Sequence, residues 1–310
     1  MNVLHTAAEL RPAGRKVCVA IGVFDGVHLG HQQVIRQTLT DAEQYEALAM
    51  VLTFDRHPNS VVAPERVPPL IYSLPQKLRA IGALGVDATW LIRFDEAFSR
   101  QTGEEFVRAL VRDCGHLCSV CVGSSFTFGW QRSGNVALLR KLGQETHFVV
   151  HALAAVSLDG QVVSSTRIRE AIRNGRLDEA GQMLGRGYAL AGQVIQGEQL
   201  GRKLGFPTAN LDVGALVLPP AGVYAGHAHA GGKLFRAVLN IGTRPTIASP
   251  AASLRVEAHL LDFQGDLYGQ EVEITFVGKL RDEQKFPSLE ALRAQINHDI
   301  ESARRLFGGT

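Results

Sequence analysis

The chain is poor in the features that mark specialised protein classes. Its 4 cysteines, Cys18, Cys114, Cys118 and Cys121, are too few for a secreted disulfide framework in 310 residues. No apolar run reaches the roughly 18 uninterrupted residues of a membrane span. The opening stretch, MNVLHTAAELRPAGRKV, lacks the apolar core of a secretory signal. These absences predict a soluble, cytoplasmic protein without a membrane partner. Lys+Arg total 32 against Asp+Glu 30, a formal charge of +2, which gives no basic face for sequence-independent nucleic-acid binding. There is no internal repeat, no low-complexity tract and no GxxxxGK[ST] phosphate loop, so any kinase activity must use another scaffold. What is present is an ordinary globular mixture, 45% hydrophobic and 20% charged. It is long enough for two domains of about 100–200 residues, each burying its own core.

The hydrophobic rhythm changes along the chain. In the first half, apolar runs at 17–23, 48–54, 89–94, 118–122 and 148–153 alternate with helical spacing at 31–43, 74–84, 102–114 and 136–142. Thr102-x-x-Glu105 is a capping box that satisfies free N–H groups at a helix start. Five strands with helical crossovers predict a mostly parallel sheet covered on both faces, an α/β Rossmann-like architecture. A helix from Thr166 stops at Asn174-Gly175, a glycine C-cap, and a short helix follows at 178–184. After residue 187 the pattern becomes strand and turn, with strands at 222–230, 233–241, 254–262 and 271–279. Gly231-Gly232 fits a tight hairpin. Antiparallel strands at this spacing predict a small β-barrel. Ser288 then caps a final helix with Leu289, Leu292, Ile296, Ile300 and Leu306 on one face.

Chemistry concentrates in three segments. Gly22-Val23-Phe24-Asp25-Gly26-Val27-His28-Leu29-Gly30-His31 lies where the first strand turns into the first helix. In a parallel sheet, ligands bind beyond the carboxyl ends of the strands. Glycines let the backbone approach a ligand, and the helix start offers N–H groups and a positive dipole end to phosphate. His28 and His31, three apart, fall on one side of the first turn and can donate to phosphoryl oxygens. Ser164-Ser165-Thr166-Arg167-Ile168-Arg169 combines hydroxyls, a helix start and guanidiniums, a second anion-binding set. Gly201-Arg202-Lys203-Leu204-Gly205-Phe206-Pro207-Thr208-Ala209-Asn210 falls on a loop of the barrel half. There the Thr208 hydroxyl and Asn210 carbonyl are hard donors suited to Mg²⁺ shared with phosphates. Glu257 on a strand is a carboxylate able to take a proton from an alcohol. Each segment also has a plainer account: a glycine turn with solvated histidines, an N-cap with surface arginines, a turn beside a solvated strand glutamate.

Cys114-x3-Cys118-x2-Cys121 has the spacing of a three-cysteine iron–sulfur site. Cys118 and Cys121 fall on a predicted strand, however, where residues three apart point to opposite faces, so buried thiols are the simpler reading.

The His-bearing segment resembles the signature of nucleotidylyltransferases with a Rossmann-like fold. Residues 201–211, Gly222-Val223-Tyr224-Ala225, Asn240-Ile241-Gly242-Thr243-Arg244-Pro245-Thr246, residues 257–262, Asp266-Leu267-Tyr268-Gly269 and Leu280-Arg281-x-Glu283-x-x-Phe286 look like successive riboflavin kinase motifs. Together they are similar to the prokaryotic bifunctional riboflavin kinase/FAD synthetase family. That resemblance implies an FMN adenylyltransferase domain at 1–185 and a riboflavin kinase domain at 186–310. It implies riboflavin, FMN and ATP as substrates, FAD as product, Mg²⁺ as cofactor, small molecules as the only partners, and a monomer or weak homo-oligomer.

By the same resemblance His28 and His31 stabilise the adenylyl transition state, and Gly22, Phe24, Asp25, Gly26, Ser164, Ser165, Thr166 and Arg169 bind ATP. In the kinase half Gly201, Arg202, Gly205, Pro207 and Asn240 bind nucleotide, Thr208 and Asn210 hold Mg-ATP, and Glu257 is the base. Ser125, Phe126, Phe128, Arg281 and Phe286 contact flavin. Two positions depart from the family pattern: Arg56 stands where a proline is usual, and Ser125 where Asn or Asp is usual. They leave two alternatives open, a riboflavin kinase with an impaired or altered N-terminal half and a non-catalytic flavin-binding protein.

Overall fold

The computed structural model describes residues 1–10, 15–197, 201, 204–243 and 254–308. By contact density the chain divides into Met1–Ser165 and Thr166–Thr310.

The first unit holds strands β1 (Asn2–Leu4), β2 (Lys16–Ile21), β3 (Leu48–Phe54), β4 (Ala88–Ile92), β5 (His116–Gly123), β6 (Thr127–Phe128), β7 (Gly134–Asn135), β8 (Val149–Leu153), β9 (Ser157–Leu158) and β10 (Gln161–Val162). Six of them form one parallel sheet in the order β1-β4-β3-β2-β5-β8. Alternate residues serve opposite faces. Val17, Val19, Ile21, Val120 and Val122 join Phe106, Leu110, Leu139 and Leu142 from helices Gly103–Cys114 and Val136–Thr146. On the other face Ala20, Val51 and Cys121 meet Val34, Ile35 and Ile81 from helices Leu29–Tyr45 and Leu74–Gly82. The sheet is therefore buried on both sides, as its continuous apolar runs require.

The sheet has one more strand than the sequence predicts. β1 is only 3 residues long, too short to display a period, and it exists by pairing with β4. The strand order places β2 centrally. The chain first builds β3 and β4 to one side of it, then crosses to β5 and β8 on the other. The segment leaving the carboxyl end of β2 thus lies at the topological switch point, where a parallel sheet opens a crevice.

The thiols do not separate as simple strand alternation predicts. Cys114 packs with the first face, whereas Cys121 and Cys118 both lie on the face under helix Leu29–Tyr45, Cys121 against Val34 and Ile35 and Cys118 beside Cys18 and Ala42, because the β2–β5 register shifts by one residue at Cys118. Burial pushes Cys18 up to about 11 and Cys114 up to about 12, which keeps both protonated. Among the described residues no group of three or more His, Cys, Asp or Glu is placed to hold a metal.

In the second unit, helix Leu177–Leu184 precedes a closed antiparallel barrel. Its strands are β11 (Ala189–Ile195), β12 (Ala209–Asp212), β13 (Gly222–Ala230), β14 (Lys233–Thr243), β15 (Leu254–Leu260) and β16 (Glu271–Arg281), arranged β11-β12-β15-β14-β13-β16. Gly231 and Gly232 have φ of 54° and 76°, the two positive values that a two-residue hairpin turn needs. Two strands escape the sequence reading. β11 closes the ring between β16 and β12, and β12 begins inside the segment expected to be loop.

The final helix, Leu289–Gly308, starts where the Ser288 hydroxyl accepts the Ala291 N–H at 3.2 Å. It seats Ala303 and Phe307 against Val223, Ala225 and Val238. Leu289 and Leu306 stay exposed, because Phe307 rather than Leu306 continues the buried stripe.

The Thr102 cap forms as predicted: Thr102 Oγ1 accepts the Glu105 N–H at 3.3 Å, and the Glu105 carboxylate accepts the Thr102 N–H at 2.8 Å. Thr102→Ala is expected to lower stability by about 1 kcal/mol. A urea midpoint that falls with an unchanged m-value would register this, and an unmoved midpoint would contradict it.

Candidate functional site

The turn after β2 is built from backbone that its residues disfavour. Phe24 has φ 53° and Val27 φ 42°, flanking Gly26 at 78°. A positive φ at Phe or at β-branched Val costs on the order of 1–3 kcal/mol each, so neighbours must impose it. The Asp25 carboxylate, 5% exposed, accepts the Ile71 N–H at 3.0 and 3.1 Å and the Tyr72 N–H at 3.2 Å. The Phe24 ring lies where a Cβ on Gly22 would press, and the Ile71 side chain does the same at Gly26. The Ser165 hydroxyl donates to the Asp25 carbonyl at 3.1 Å.

Helix Leu29–Tyr45 then begins with His28 as its N-cap. His28 Nδ1 accepts the His31 N–H at 3.4 Å, and the two rings stack with centroids 3.6 Å apart. The expected His pair is thus a stacked pair at a helix start. Burial, then the neighbouring His28 and Lys77, hold His31 well below the usual imidazole range. Its Nδ1 is buried without a hydrogen-bond partner. A neutral His31 offers one N–H, where the sequence reading leaves the protonation state open.

Lys77, on helix Leu74–Gly82, gives no signal in the sequence, because a helical lysine reads as solvated. It is 7% exposed, and its Nζ donates to the Phe54 carbonyl at 2.7 Å, the Thr53 hydroxyl at 3.3 Å and the Val23 carbonyl at 3.4 Å. Burial pushes its ammonium down to about 8, against the opposing pull of Asp25 and Asp55.

Beside the turn, Ile21 and Val23 share a cavity of about 470 Å³ with Phe54, Phe94, Phe98, Phe106, Phe126 and Phe128. Phe126 and Phe128 stack at 5.2 Å. Ser125 is exposed in the turn before them and does not line this cavity. Arg56 pairs with Asp55 at 3.0 Å. Burial raises the Asp55 carboxyl, but the Phe94 N–H and Arg56 outweigh it and hold the group below its ordinary range. Ser164 is half-buried, Thr166 exposed and Arg169 buried, while Arg167 is engaged with Glu179 at 3.1 Å.

The barrel gathers the other predicted set. Register aligns Asn210 with Glu257, Glu257 with Asn240, Asn240 with Val223, and Val223 with Arg281, one row across five strands. Directly paired residues share a face. A cavity of about 270 Å³ on this row is lined by Gly201, Thr208, Asn240, Glu257, Arg281 and Phe286. A Cβ on Gly197 would collide with the Asn210 amide, so Gly197 leaves the cradle that this side chain occupies.

Thr208 and Pro207 also line an adjoining cavity of about 260 Å³ with Phe263, Asp266 and Tyr268, so Thr208 stands between two spaces. His259 Nδ1 lies 2.8 Å from the Pro207 carbonyl and fixes that edge. Gly205 has φ 89°, a turn conformation that favours glycine. Arg202, Lys203 and the Arg244-Pro245-Thr246 motif lie outside the described residues.

Arg281 differs from a free ligand-binding cation. Asp299, 4% exposed, grips it in a fork at 2.8–3.1 Å, and its guanidinium lies over the Phe286 ring at 5.6 Å. Asp299 was not legible in sequence, because an acid on a helix reads as solvent-facing.

Comparison with known proteins matches these two units to two activities. Residues 11–167 match the FAD synthetase family model and residues 184–307 the riboflavin kinase family model. The class so defined is a parallel-sheet nucleotide-handling domain joined to a barrel kinase domain. Bifunctional riboflavin kinase/FMN adenylyltransferases from Haemophilus influenzae and Escherichia coli are 38% and 36% identical to the chain. They align over 93% and 100% of it, and over 94% and 99% of their own lengths. A solved Streptococcus pneumoniae structure, described as a macrolide-efflux protein, superposes with a TM-score of 0.82 at 28% identity, covering 97% of this chain and 98% of that one. Among the described residues no helix is long and apolar enough to cross a membrane. The chain belongs to the bifunctional riboflavin kinase/FMN adenylyltransferase family.

Two expected outcomes follow from the geometry. His31 should remain neutral at pH 6 by NMR. Because the unfolded chain takes up a proton near 6.5 that folded His31 refuses, His31 should also erode stability as the pH falls below that value. An imidazole that titrates at its ordinary value would contradict the burial argument. Asp299→Ala should cost about 1–3 kcal/mol by taking the carboxylate from a part-buried Arg281, which keeps the Asp282 carbonyl as an acceptor; a loss below about 0.5 kcal/mol in chemical denaturation would contradict that pairing.

Proposed function

We propose that this chain makes FAD from riboflavin in two ATP-dependent steps. In the barrel half the riboflavin 5′-hydroxyl attacks the γ-phosphoryl of ATP, giving FMN and ADP. In the parallel-sheet half an FMN phosphate oxygen attacks the α-phosphorus of a second ATP, giving FAD and pyrophosphate. The observation that carries the reading is the cross-strand pair Glu257–Asn240 lining a cavity that adjoins a second one across Thr208, with Asn210 beside Glu257 in register but outside both linings.

That layout suits transfer between two substrates. Riboflavin occupies the cavity with Glu257 and Phe286, and the nucleotide lies toward Asp266 and Tyr268. Glu257 takes the hydroxyl proton as the phosphoryl group passes Thr208. Gly201, Gly205, Pro207 and Asn240 shape the phosphate end, and Arg281 faces the flavin. Arg202 joins them by resemblance alone. The Thr208 hydroxyl and the Asn210 carbonyl, cradled beside Gly197, fit Mg²⁺, which needs few protein ligands when phosphates supply the rest. The ion would neutralise charge on the polyphosphate.

In the N-terminal half the aromatic cavity accepts the flavin ring through Phe126 and Phe128. Gly22, Phe24, Gly26 and the start of helix Leu29–Tyr45 receive nucleotide phosphates, with Ser164, Ser165, Thr166 and Arg169 as further contacts. His28 and His31 donate to the charge that builds on the α-phosphoryl. Asp25, turned to Ile71 and Tyr72, contributes by shaping the turn. Arg56 is absorbed by Asp55 and Ser125 stands outside the cavity, so neither departure blocks the site. The proposed functional boundary lies near residue 185; a riboflavin kinase match that starts at residue 184 supports it. The reading is of a cytoplasmic enzyme acting on small molecules.

Glu257→Gln is expected to lower riboflavin phosphorylation by roughly 100-fold or more while FMN adenylylation persists. His28→Ala and His31→Ala should do the reverse, with a loss of about 100-fold or more in pyrophosphate release. Unchanged kinase turnover in Glu257→Gln would remove it as the base. Wild-type protein that forms FMN but no FAD would leave a kinase alone.

A further inference from the structure

The strained turn and the helix that carries Lys77 grip each other from both sides. Asp25, in the turn, accepts backbone N–H groups from Ile71 and Tyr72, which lead into helix Leu74–Gly82. Lys77, in that helix, reaches back to the Val23 carbonyl at the turn's other end, and to Thr53 and Phe54 on β3. Thr53 completes the network by donating its hydroxyl to the same Val23 carbonyl at 3.1 Å. Phe24 lies between the two gripped residues and Val27 just beyond, and both have positive φ. Two oppositely charged groups, each less than a tenth exposed, are thus spent on fixing one short turn. Burying an ammonium is costly unless its hydrogen bonds and a nearby opposite charge compensate, and here carbonyls, a hydroxyl, Asp25 and Asp55 do so.

We propose that Asp25 and Lys77 form a reciprocal brace that holds residues 22–31 in the shape that receives the transferring phosphate, which makes Lys77 a positioning residue for adenylyl transfer. Its Nζ is saturated by protein partners, so it acts through the turn and through its charge. The charge of the ammonium disfavours protonation of His31, keeping that ring able to present a neutral N–H. The groups that face Lys77 electrostatically are Asp25, Asp55 (itself paired with Arg56) and His31. Loss of the Lys77 proton removes the charge and leaves two N–H groups for three acceptors, of which the Val23 carbonyl is the most distant.

This inference rests on the proposed adenylyltransferase activity, so the test begins with wild-type protein, ATP and FMN; absence of FAD there overturns the activity reading itself. Given that activity, Lys77→Met should lower kcat for FAD formation by about 100-fold, the scale of a misplaced reacting group, with KM for FMN changed less than threefold. An unchanged denaturation midpoint for the Met1–Ser165 unit, with FMN binding retained, reports that the half carrying Lys77 is folded. Thr53→Val, which removes one Nζ partner and the second donor to Val23, should lower the same kcat by about 10-fold. It serves as the deciding variant if Lys77→Met unfolds. The pH profile separates positioning from simple loss of structure. In wild type, kcat/KM for adenylylation should decline above about pH 8, where Lys77 gives up its proton, and that limb should vanish in Lys77→Met. A kcat within twofold of wild type in both variants, or an alkaline limb that persists in Lys77→Met, overturns the proposal.

Discussion

The N-terminal half depends on a turn held where its own residues would not go. A parallel strand ends in unpaired backbone groups, and the following helix begins with free N–H groups. Between β2 and helix Leu29–Tyr45 the chain needs only a few residues to reverse, and it spends backbone strain at Phe24 and Val27 to do so. The restraint comes from buried charge and close packing: Asp25 on Ile71 and Tyr72, Lys77 on Val23, and the Phe24 ring against Gly22. Everything proposed for nucleotide chemistry there, from the His28–His31 stack to the aromatic cavity next door, takes its position from that turn.

The barrel half solves the same problem with a different device. Closure of six strands removes free sheet edges and lines up Asn210, Glu257 and Asn240 by register. No strained turn is needed to bring Glu257 and its neighbours together, because direct cross-strand pairs share a face. The final helix then pins Arg281 through Asp299, so the end of the row that walls the cavity is fixed by an ion pair to a separate element. In the proposed reading both halves handle polyphosphate with local donors, which would let a chain of net charge +2 serve such ligands.

Features written in short stretches of sequence were legible. The Thr102–Glu105 capping box, the Gly231-Gly232 hairpin and the apolar runs of β2, β3 and β5 all depend on neighbouring residues, and they form as read. The motif residues of the barrel were readable as a list, but their row was not, since register exists only between strands. Features made by distant pairing stayed hidden. β1 needs β4, β11 and β12 need the closed ring, and Lys77 and Asp299 carry charges that sequence pattern assigns to solvent. The phenylalanine cavity draws on residues from 54 to 128, and no local period announces it.

The most direct test of the central claim is a time course by mass spectrometry on wild-type protein given riboflavin, ATP and Mg²⁺ as the only reactants. The account predicts that FMN and ADP appear first, and that FAD and pyrophosphate then rise together at the expense of FMN. Riboflavin consumed to FMN with no FAD, or no consumption of riboflavin, would contradict it.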